Sequence, residues 1–202
     1  MKRLIWCGLV LLSAAVFASD EEKPMDYVGA AVAARENGDW DEVRRIYARA
    51  LEGNSLDQAD HRFKATLHYE YGRALGVTCH FNEAERQLNL ANELDKHTGG
   101  VFYLSLTELA RLNLDQRRYA QALSYLERIL AELDPVITAR RVPVFYANLL
   151  DDYASALAGA GREKDAEAAS RKARETRGGA PKPPIDPHRT PYGQQCGKRR
   201  AP

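Results

Sequence analysis

Apolar residues recur at helical spacing around residues 40–51, and the same pattern returns three more times along the chain. Trp40 opens the first copy, and Val43 and Tyr47 follow it at steps of three and four residues. This spacing places the three side chains on one face of an α-helix. Gly38 stands just before the helix, as expected for a tight turn that ends an earlier one. The pattern predicts a helical hairpin whose apolar face must be buried against a neighbour.

A small apolar residue near the start of each second helix aligns the four copies. These residues are Val43, Ala84, Ala122 and Ala166. They are separated by 41, 38 and 44 residues, and an aromatic residue precedes each of the first three by three positions. A repeat of this length with helix–turn–helix content is typical of a solenoid, in which each hairpin packs only on its neighbours.

Turn and capping residues divide the repeats into eight predicted helices, so the expected fold is an all-α solenoid of helical hairpins. The first helix of the second copy is expected to run as far as Val77. Residues 136–142 are expected to form a connection, because Asp134-Pro135 stops the preceding helix. The last helix, 163–176, carries alanines rather than large apolar residues, which is typical of a solubilising cap on a stacked array.

The first 18 residues are typical of a signal peptide. Lys2 and Arg3 precede an apolar run over residues 4–17, and small residues precede a predicted cut after Ala18. This run is shorter than the roughly 20 residues of a membrane-spanning helix, and no later run is long enough, so we expect no stable membrane span after cleavage. An uncleaved anchor and lipidation at Cys7 are the alternatives. We therefore expect a periplasmic or secreted protein. The sequence has no Asn-x-Ser/Thr triplet, the glycosylation site of eukaryotic secreted proteins, so a bacterial periplasm is the simpler interpretation.

The composition changes at residue 178. Residues 178–202 carry six prolines and are expected to form a disordered tail. The repeat domain then spans 19–177, with 22 basic and 27 acidic residues and a net charge of −5, whereas the tail has a net charge of +4. An acidic body lacks the basic stripe that nucleic-acid binding requires, so no nucleic-acid partner is expected.

The repeats resemble the tetratricopeptide repeat (TPR) family, in particular an exported bacterial TPR protein, over about residues 24–177. In the first copy, the motif's turn glycine, aromatic, small, aromatic and alanine positions are occupied by Gly38, Trp40, Val43, Tyr47 and Ala50. Later copies match less completely. The period exceeds the family's value of about 34 residues, which implies longer first helices or looser connections.

The resemblance implies a concave surface formed by the first helix of each hairpin, where family members bind extended peptides. The groove positions, carried over residue by residue, give a partner-binding set of Tyr69, Arg73, Thr107, Arg111, Asn148 and Asp151. Arginine binds carboxylates or carbonyls, and tyrosine supplies contact area at low entropic cost. The set therefore suits a protein or peptide partner. The alternative is that these residues are only solvated helix faces.

Residues that would carry catalysis or bind metal do not form a recognisable pattern. The five histidines include no His-x-x-x-His pair, and the sequence lacks a phosphate-binding glycine loop and a nucleophile motif. Asp151 and Asp152 are adjacent, and adjacent side chains point about 100° apart on a helix. We therefore expect no enzyme activity, no metal and no cofactor.

The mature chain would retain two cysteines, Cys79 and Cys196. Cys79 stands at the turn position that glycine occupies in the first and last copies. Three states are open: a free thiol in the turn, a Cys79–Cys196 disulfide that pins the tail to the array, and an intermolecular bridge through Cys196. Closing a loop of this length is worth about 4–5 kcal/mol in the chain-entropy model.

Four in-phase repeats without catalytic residues predict a non-catalytic scaffold or adaptor of the bacterial cell envelope. In this interpretation an extended segment of a protein partner binds in the concave groove. The alternative is a structural envelope protein that self-associates into a homo-oligomer, with the basic tail of one copy contacting the acidic body of another.

Overall fold

The computed structural model describes residues 24–52, 59–99, 102–178 and 189–196. Over these ranges the regular secondary structure is α-helical, which confirms the all-α prediction. The helices are α1 (Pro24–Glu36), α2 (Trp40–Glu52), α3 (His61–Val77), α4 (Phe81–Thr98), α5 (Phe102–Asp115), α6 (Tyr119–Glu132), α7 (Pro135–Arg141), α8 (Pro143–Gly159) and α9 (Glu163–Thr176). The predicted signal peptide at 1–18 lies outside the described residues.

Eight of the described helices pair into four hairpins: α1 with α2, α3 with α4, α5 with α6, and α8 with α9. Each hairpin packs on the next through contacts of α2 with α3, α4 with α5, and α6 with α8. First helices also meet directly, since α3 contacts α5 and α5 contacts α8. The described residues thus form the predicted solenoid of helical hairpins.

The four hairpin turns share one geometry. One residue in each takes a left-handed backbone, with φ of 71° at Gly38, 72° at Cys79, 59° at Arg117 and 77° at Gly161. The following residue donates its N–H to the carbonyl five residues back, at 2.8–3.0 Å, which closes the first helix of the hairpin. The four positions are again 41, 38 and 44 residues apart, so the sequence repeat is also a repeat of structure.

Small residues let the two helices of a hairpin approach closely. A Cβ atom on Gly72 of α3 would lie 2.8 Å from Cγ of Leu88 on α4. Ala84, whose carbonyl oxygen faces the same point, is fully buried. Large aromatic residues fill wider gaps between hairpins, and Trp40 is only 5% exposed there. The core is therefore a continuous layer along the array rather than one centre.

Helix α7 lies where the sequence predicts a connection, at 136–142. Asp134 accepts hydrogen bonds from the N–H groups of Val136 and Ile137 at 2.9 and 2.8 Å. Pro135 occupies the first turn, where its missing N–H costs nothing. The Asp-Pro pair therefore ends α6 and also starts a new helix, and the described residues contain one helix more than the eight predicted.

Part of the predicted disordered tail is folded against the array. Of residues 178–202, the structure describes 178 and 189–196, and Tyr192 in the second of these is only 7% exposed. Residues 189–196 therefore lie against the array, within a region whose composition predicts disorder. The disorder prediction rests on the proline content of this region. Composition gives no information about the contacts that Tyr192 and Cys196 make with distant hairpins.

Candidate functional site

A chain of ion pairs crosses the first helices of all four hairpins. We call it the charge ladder; its members are Arg35 (α1), Glu70 and Arg73 (α3), Glu108 and Arg111 (α5), and Asp152 (α8). Successive nitrogen–oxygen distances along the ladder are 3.7, 3.1, 4.0, 3.2 and 2.7 Å. Because positive and negative groups alternate, each inner charge has an opposite charge on both sides.

The charge ladder follows from the repeat. Glu70 and Arg73 are three residues apart on α3, and Glu108 and Arg111 repeat that spacing on α5, 38 residues later. Residues three apart share a helix face, and 38 residues is also the offset between the second and third hairpins. The two Glu-x-x-Arg pairs therefore lie side by side when the hairpins stack. This recurrence is the sequence signal for Glu70 and Glu108, which the set carried over from the family leaves out.

The centre of the charge ladder is largely withdrawn from solvent. The side chains of Arg73 and Arg111 are each 15% exposed, that of Glu108 is 12% exposed and that of Asp152 is 8% exposed. Burial disfavours a charged guanidinium, but the charges of Glu70 and Glu108 outweigh it, so the pKa of Arg73 is raised. Removing one member would leave its neighbour buried without its partner.

Aromatic rings from α2 and α3 flank the charge ladder. The guanidinium carbon of Arg73 lies 6.0 Å from the ring centre of Trp40 and 5.7 Å from that of Tyr69, within the range of cation–π attraction. Burial raises the pKa of the Tyr69 hydroxyl, and the Glu108 charge adds to this effect. Tyr69 therefore presents a neutral hydroxyl beside a row of charges.

Of the predicted partner-binding residues, three come together and Thr107 does not join them. Tyr69, Arg73 and Arg111 lie along the charge ladder. Thr107 is only 4% exposed, and its hydroxyl donates to the carbonyl of Tyr103 at 2.6 Å. Thr107 therefore supports α5 from within and presents little surface to a partner.

The two adjacent aspartates of α8 face different neighbours. Asp152 pairs with Arg111 on α5 at 2.7 Å, whereas Asp151 pairs with Arg177, just after α9, at 2.7 Å. Both aspartates are buried, so Asp151 is a structural contact within the last hairpin. Asn148, about one turn earlier on α8, is half-buried.

An open cavity of about 450 Å³ lies beside the charge ladder, between α3, the end of α4 and the start of α5. Its lining residues are Arg62, Ala65, Thr66, Tyr69, Glu70, Asp95, Gly99 and Leu104. Tyr69 and Glu70 connect this wall to the ladder, and Leu104 adds an exposed apolar side chain. A mixed apolar and polar wall of this kind can accept one side chain of a bound segment.

The tail segment, residues 189–196, covers the C-terminal ends of α3 and α5, on the side away from this cavity. Tyr192 lies between these two helices, in a position that we call the tail seat; its residues are Gly76, Val77, Glu108 and Asp115. A Cβ atom on Gly76 would lie 2.3 Å from Cδ1 of Tyr192, so only glycine leaves room for the ring. The Tyr192 hydroxyl donates to the Glu108 carboxylate, and burial raises the pKa of this hydroxyl well above its ordinary value.

Further hydrogen bonds hold the tail segment on either side of the Tyr192 ring. Asp115 accepts from the Tyr192 N–H at 2.9 Å and from the Arg189 guanidinium at 2.6 Å. Two backbone hydrogen bonds of 3.0 and 3.2 Å go to carbonyls at the end of α3; they join Gly193 to Gly76 and Gln195 to Val77. The tail segment is thus bound as a peptide ligand is bound, through both side chains and main chain.

A disulfide joins Cys79, in the turn after α3, to Cys196 of the tail segment, with 5.3 Å between the two Cα atoms. Of the three thiol states that the sequence leaves open, this is the one that pins the tail to the array. The two cysteines are 117 residues apart, so the bond closes α4 to α9 into one covalent loop.

The described residues contain no group of three or more His, Cys, Asp or Glu side chains that could hold a metal ion. Within the same ranges, no helix has the length and apolar character needed to cross a membrane. The groups that the ladder, the cavity and the tail seat do offer are ion pairs, aromatic rings and backbone carbonyls, which are suited to binding a polypeptide.

Comparison with known proteins supports the fold. No protein-family model matches the chain, and no curated protein matches it. Among solved structures, it is similar to BtubC (BKLC) from P. vanneervenii, with a TM-score of 0.69 and 20% identity over 81% of this chain and 68% of that one. It also matches the MamA protein, with a TM-score of 0.47 and 17% identity over 77% of this chain and 92% of that one. The likeness to BtubC is one of fold, and it agrees with a TPR-like helical-repeat architecture.

Proposed function

We propose that the protein is a non-catalytic scaffold of the bacterial cell envelope that binds an extended segment of a partner protein along the charge ladder. The ladder carries the proposal, because it sets one row of alternating charges across four successive first helices. Packed helices lie about 8–10 Å apart and an extended residue spans about 3.3 Å. About three residues of a bound segment would therefore pass over each hairpin, and the cavity beside Tyr69 would take one of its side chains.

The envelope location rests on the signal-peptide pattern of residues 1–18. The disulfide between Cys79 and Cys196 supports it, because disulfides persist in oxidising compartments such as the periplasm and are rare in the cytosol.

The proposal is tested by crosslinking the protein in a native envelope fraction and identifying the captured partner. Thr66 lines the cavity from an exposed position, so Thr66→Trp should fill the cavity with little effect on the fold and reduce the captured partner several-fold. Ser124→Trp is the matched control, because Ser124 is exposed on α6, away from the cavity. It should capture the partner as the wild-type protein does.

Reversal of two ladder charges gives a second test. Arg73→Glu with Arg111→Glu should abolish capture, because acidic side chains would replace the row's central cations. Breaking buried pairs costs about 3–5 kcal/mol, so the melting temperature of this variant must be measured alongside. Arg86→Glu, a reversal at an exposed position on α4, is the control. Full capture by both a folded ladder variant and Thr66→Trp would contradict binding at this face.

Self-association is the second candidate, and the tail segment favours it as a contact. Arg189 binds Asp115 within one chain, and the same attraction between two chains would exchange tails. Light scattering of the oxidised full-length protein, alone and with Arg189→Glu, distinguishes the two candidates. A dimer that Arg189→Glu dissociates supports tail exchange, whereas a monomer in both cases excludes it.

A further inference from the structure

The tail seat has the shape and chemistry of a site for a tyrosine side chain. Gly76 opens a slot between α3 and α5, and the ring of Tyr192 fills it. Glu108 accepts the hydroxyl proton at the inner end of the slot. Since Glu108 is itself only 9% exposed, an empty slot would leave a buried carboxylate short of one hydrogen-bond donor. A vacated seat would therefore favour another tyrosine over an aliphatic residue or a phenylalanine.

A second recognition element lies at the rim of the tail seat. Asp115 binds the guanidinium of Arg189 and the main-chain N–H of Tyr192 at the same time. This fixes an arginine three residues before the tyrosine. After the tyrosine, Gly193 takes a left-handed backbone with φ of 76°, and its position close to Phe81 and Cys196 leaves little room for a side chain. The bound pattern is thus Arg-x-x-Tyr-Gly.

The tail seat is continuous with the charge ladder through Glu108. This residue contacts Arg73 and Arg111 in the ladder and Tyr192 in the seat. A segment lying along the ladder toward the ends of α3 and α5 would therefore meet the position that the tail segment already occupies. The chain's own tail and such a partner compete for one carboxylate.

The disulfide that holds the tail segment is open to attack. Cys196 is exposed and Cys79 is half-buried, so a small dithiol or a dithiol oxidoreductase can reach the bond. A thiolate of the reductant attacks Sγ of Cys196, and the S–S bond breaks with its electron pair on Sγ of Cys79. The second thiol of the reductant then displaces Cys196. Cys79 and Cys196 end as two thiols, and the reductant ends as a disulfide.

From these contacts we propose that the tail seat is a binding site for Arg-x-x-Tyr-Gly segments of a partner protein. The chain's own residues 189–196 close the site until a dithiol reductant opens the Cys79–Cys196 bond. This inference rests on the proposed function, because it adds the recognition chemistry and the control of access at one end of the same binding face.

The test uses the full-length protein and a fluorescein-labelled peptide of residues 189–195, which contains the pattern and no cysteine. Binding is measured by fluorescence anisotropy for the oxidised protein and after reduction with dithiothreitol. The tethered tail still competes after reduction, because tethering gives it an effective concentration of roughly millimolar. We expect reduction to tighten binding at least about tenfold, and the variant Tyr192→Ala with Cys196→Ser to bind more tightly still.

Two substitutions show whether the peptide enters the tail seat. Gly76→Ala would place a Cβ atom in the slot and should abolish peptide binding even after reduction. Gly29→Ala is the matched control, since a Cβ there meets no atom within 4 Å. Replacing the tyrosine of the peptide by phenylalanine removes the hydrogen bond to Glu108 and should weaken binding about tenfold.

Equal peptide binding before and after reduction would overturn the control of access, and binding that survives Gly76→Ala would overturn the site. A disulfide-linked dimer on a non-reducing gel would show that the tail closes a neighbouring molecule instead. Partner capture from the envelope is run in both redox states. Equal capture in both redox states would support the scaffold function and contradict the redox control. Peptide binding after reduction, without partner capture in either state, would support the tail seat and contradict the scaffold function.

Discussion

Two of the four hairpin turns carry a residue other than glycine in the left-handed conformation. Cys79 and Arg117 have positive φ, as Gly38 and Gly161 do at the equivalent turns. A side chain in this conformation costs about 1–3 kcal/mol. At Cys79 the turn also brings Sγ to Cys196, whereas nothing in the described part of the chain explains the arginine at 117.

Adding a glycine at one of these turns and removing the glycine from another should change stability in opposite directions. Arg117→Gly should raise the free energy of unfolding by about 0.5–1 kcal/mol, because relief of backbone strain exceeds the added entropy of the unfolded chain. Gly161→Ala should lower it by about 1 kcal/mol. Urea unfolding measures both changes. A loss of stability in Arg117→Gly would show that the third turn is not equivalent to the glycine turns.

Helix α2 shows how far a single element can be predicted. Its apolar spacing predicts the buried face, and Trp40, Val43 and Tyr47 are all buried. Helix α7 could not be predicted in this way, because Asp134-Pro135 reads equally as a stop and as a helix start. In the structure the pair does both, because α6 ends just before it and Asp134 caps the first turn of α7.

The prediction for α2 is that Trp40 is architectural. Trp40→Ala should cost about 3–5 kcal/mol through the cavity left between the first two hairpins, which corresponds to a fall in melting temperature of roughly 10 °C for a chain of this size. Val144→Ala removes a side chain at a 66% exposed position and should change little. An unchanged melting temperature in Trp40→Ala would contradict the stacked-repeat architecture.

The candidate site could be predicted only in part, because some of its contacts join residues that are far apart in the sequence. Arg73 and Arg111 could be predicted, because they lie on the helix face that the resemblance assigns to the groove. Each also stands three residues after a glutamate, and this spacing recurs from one hairpin to the next. The hydrogen bond from Tyr192 to Glu108 joins residues 84 positions apart. Periodicity describes neighbours on one helix, so it gives no sign of a contact that depends on how the tail returns to the array.

At the scale of the whole molecule, several tyrosines are kept neutral by burial. Burial raises the pKa of Tyr47 to about 12, and the Glu70 charge contributes. The pKa values of Tyr69 and Tyr192 are raised by the same cause. Below pH 10 the folded and unfolded chains both hold these protons. Above it the unfolded chain releases protons that the folded chain retains, so stability is lost as the pH rises.

The expected result is a melting temperature that falls steeply between pH 10 and pH 12. Each such tyrosine contributes up to about 1.4 kcal/mol per pH unit in that window. Tyr47→Phe removes one titrating group, so its loss of stability across the window should be smaller than that of the wild-type protein. Thermal melts followed by circular dichroism give the comparison. Parallel curves for the two proteins would show that Tyr47 does not titrate differently on folding.

The Cys79–Cys196 disulfide also determines how the molecule would carry tension. Force applied to the two chain ends would pass directly from one cysteine to the other and bypass α4 to α9. The 117 residues between them would be withheld from stretching, which amounts to about 400 Å of extended chain at roughly 3.4 Å per residue. Of the described helices, those of the first hairpin and α3 would bear the load. The later hairpins would keep their shape under strain for as long as the bond remains oxidised.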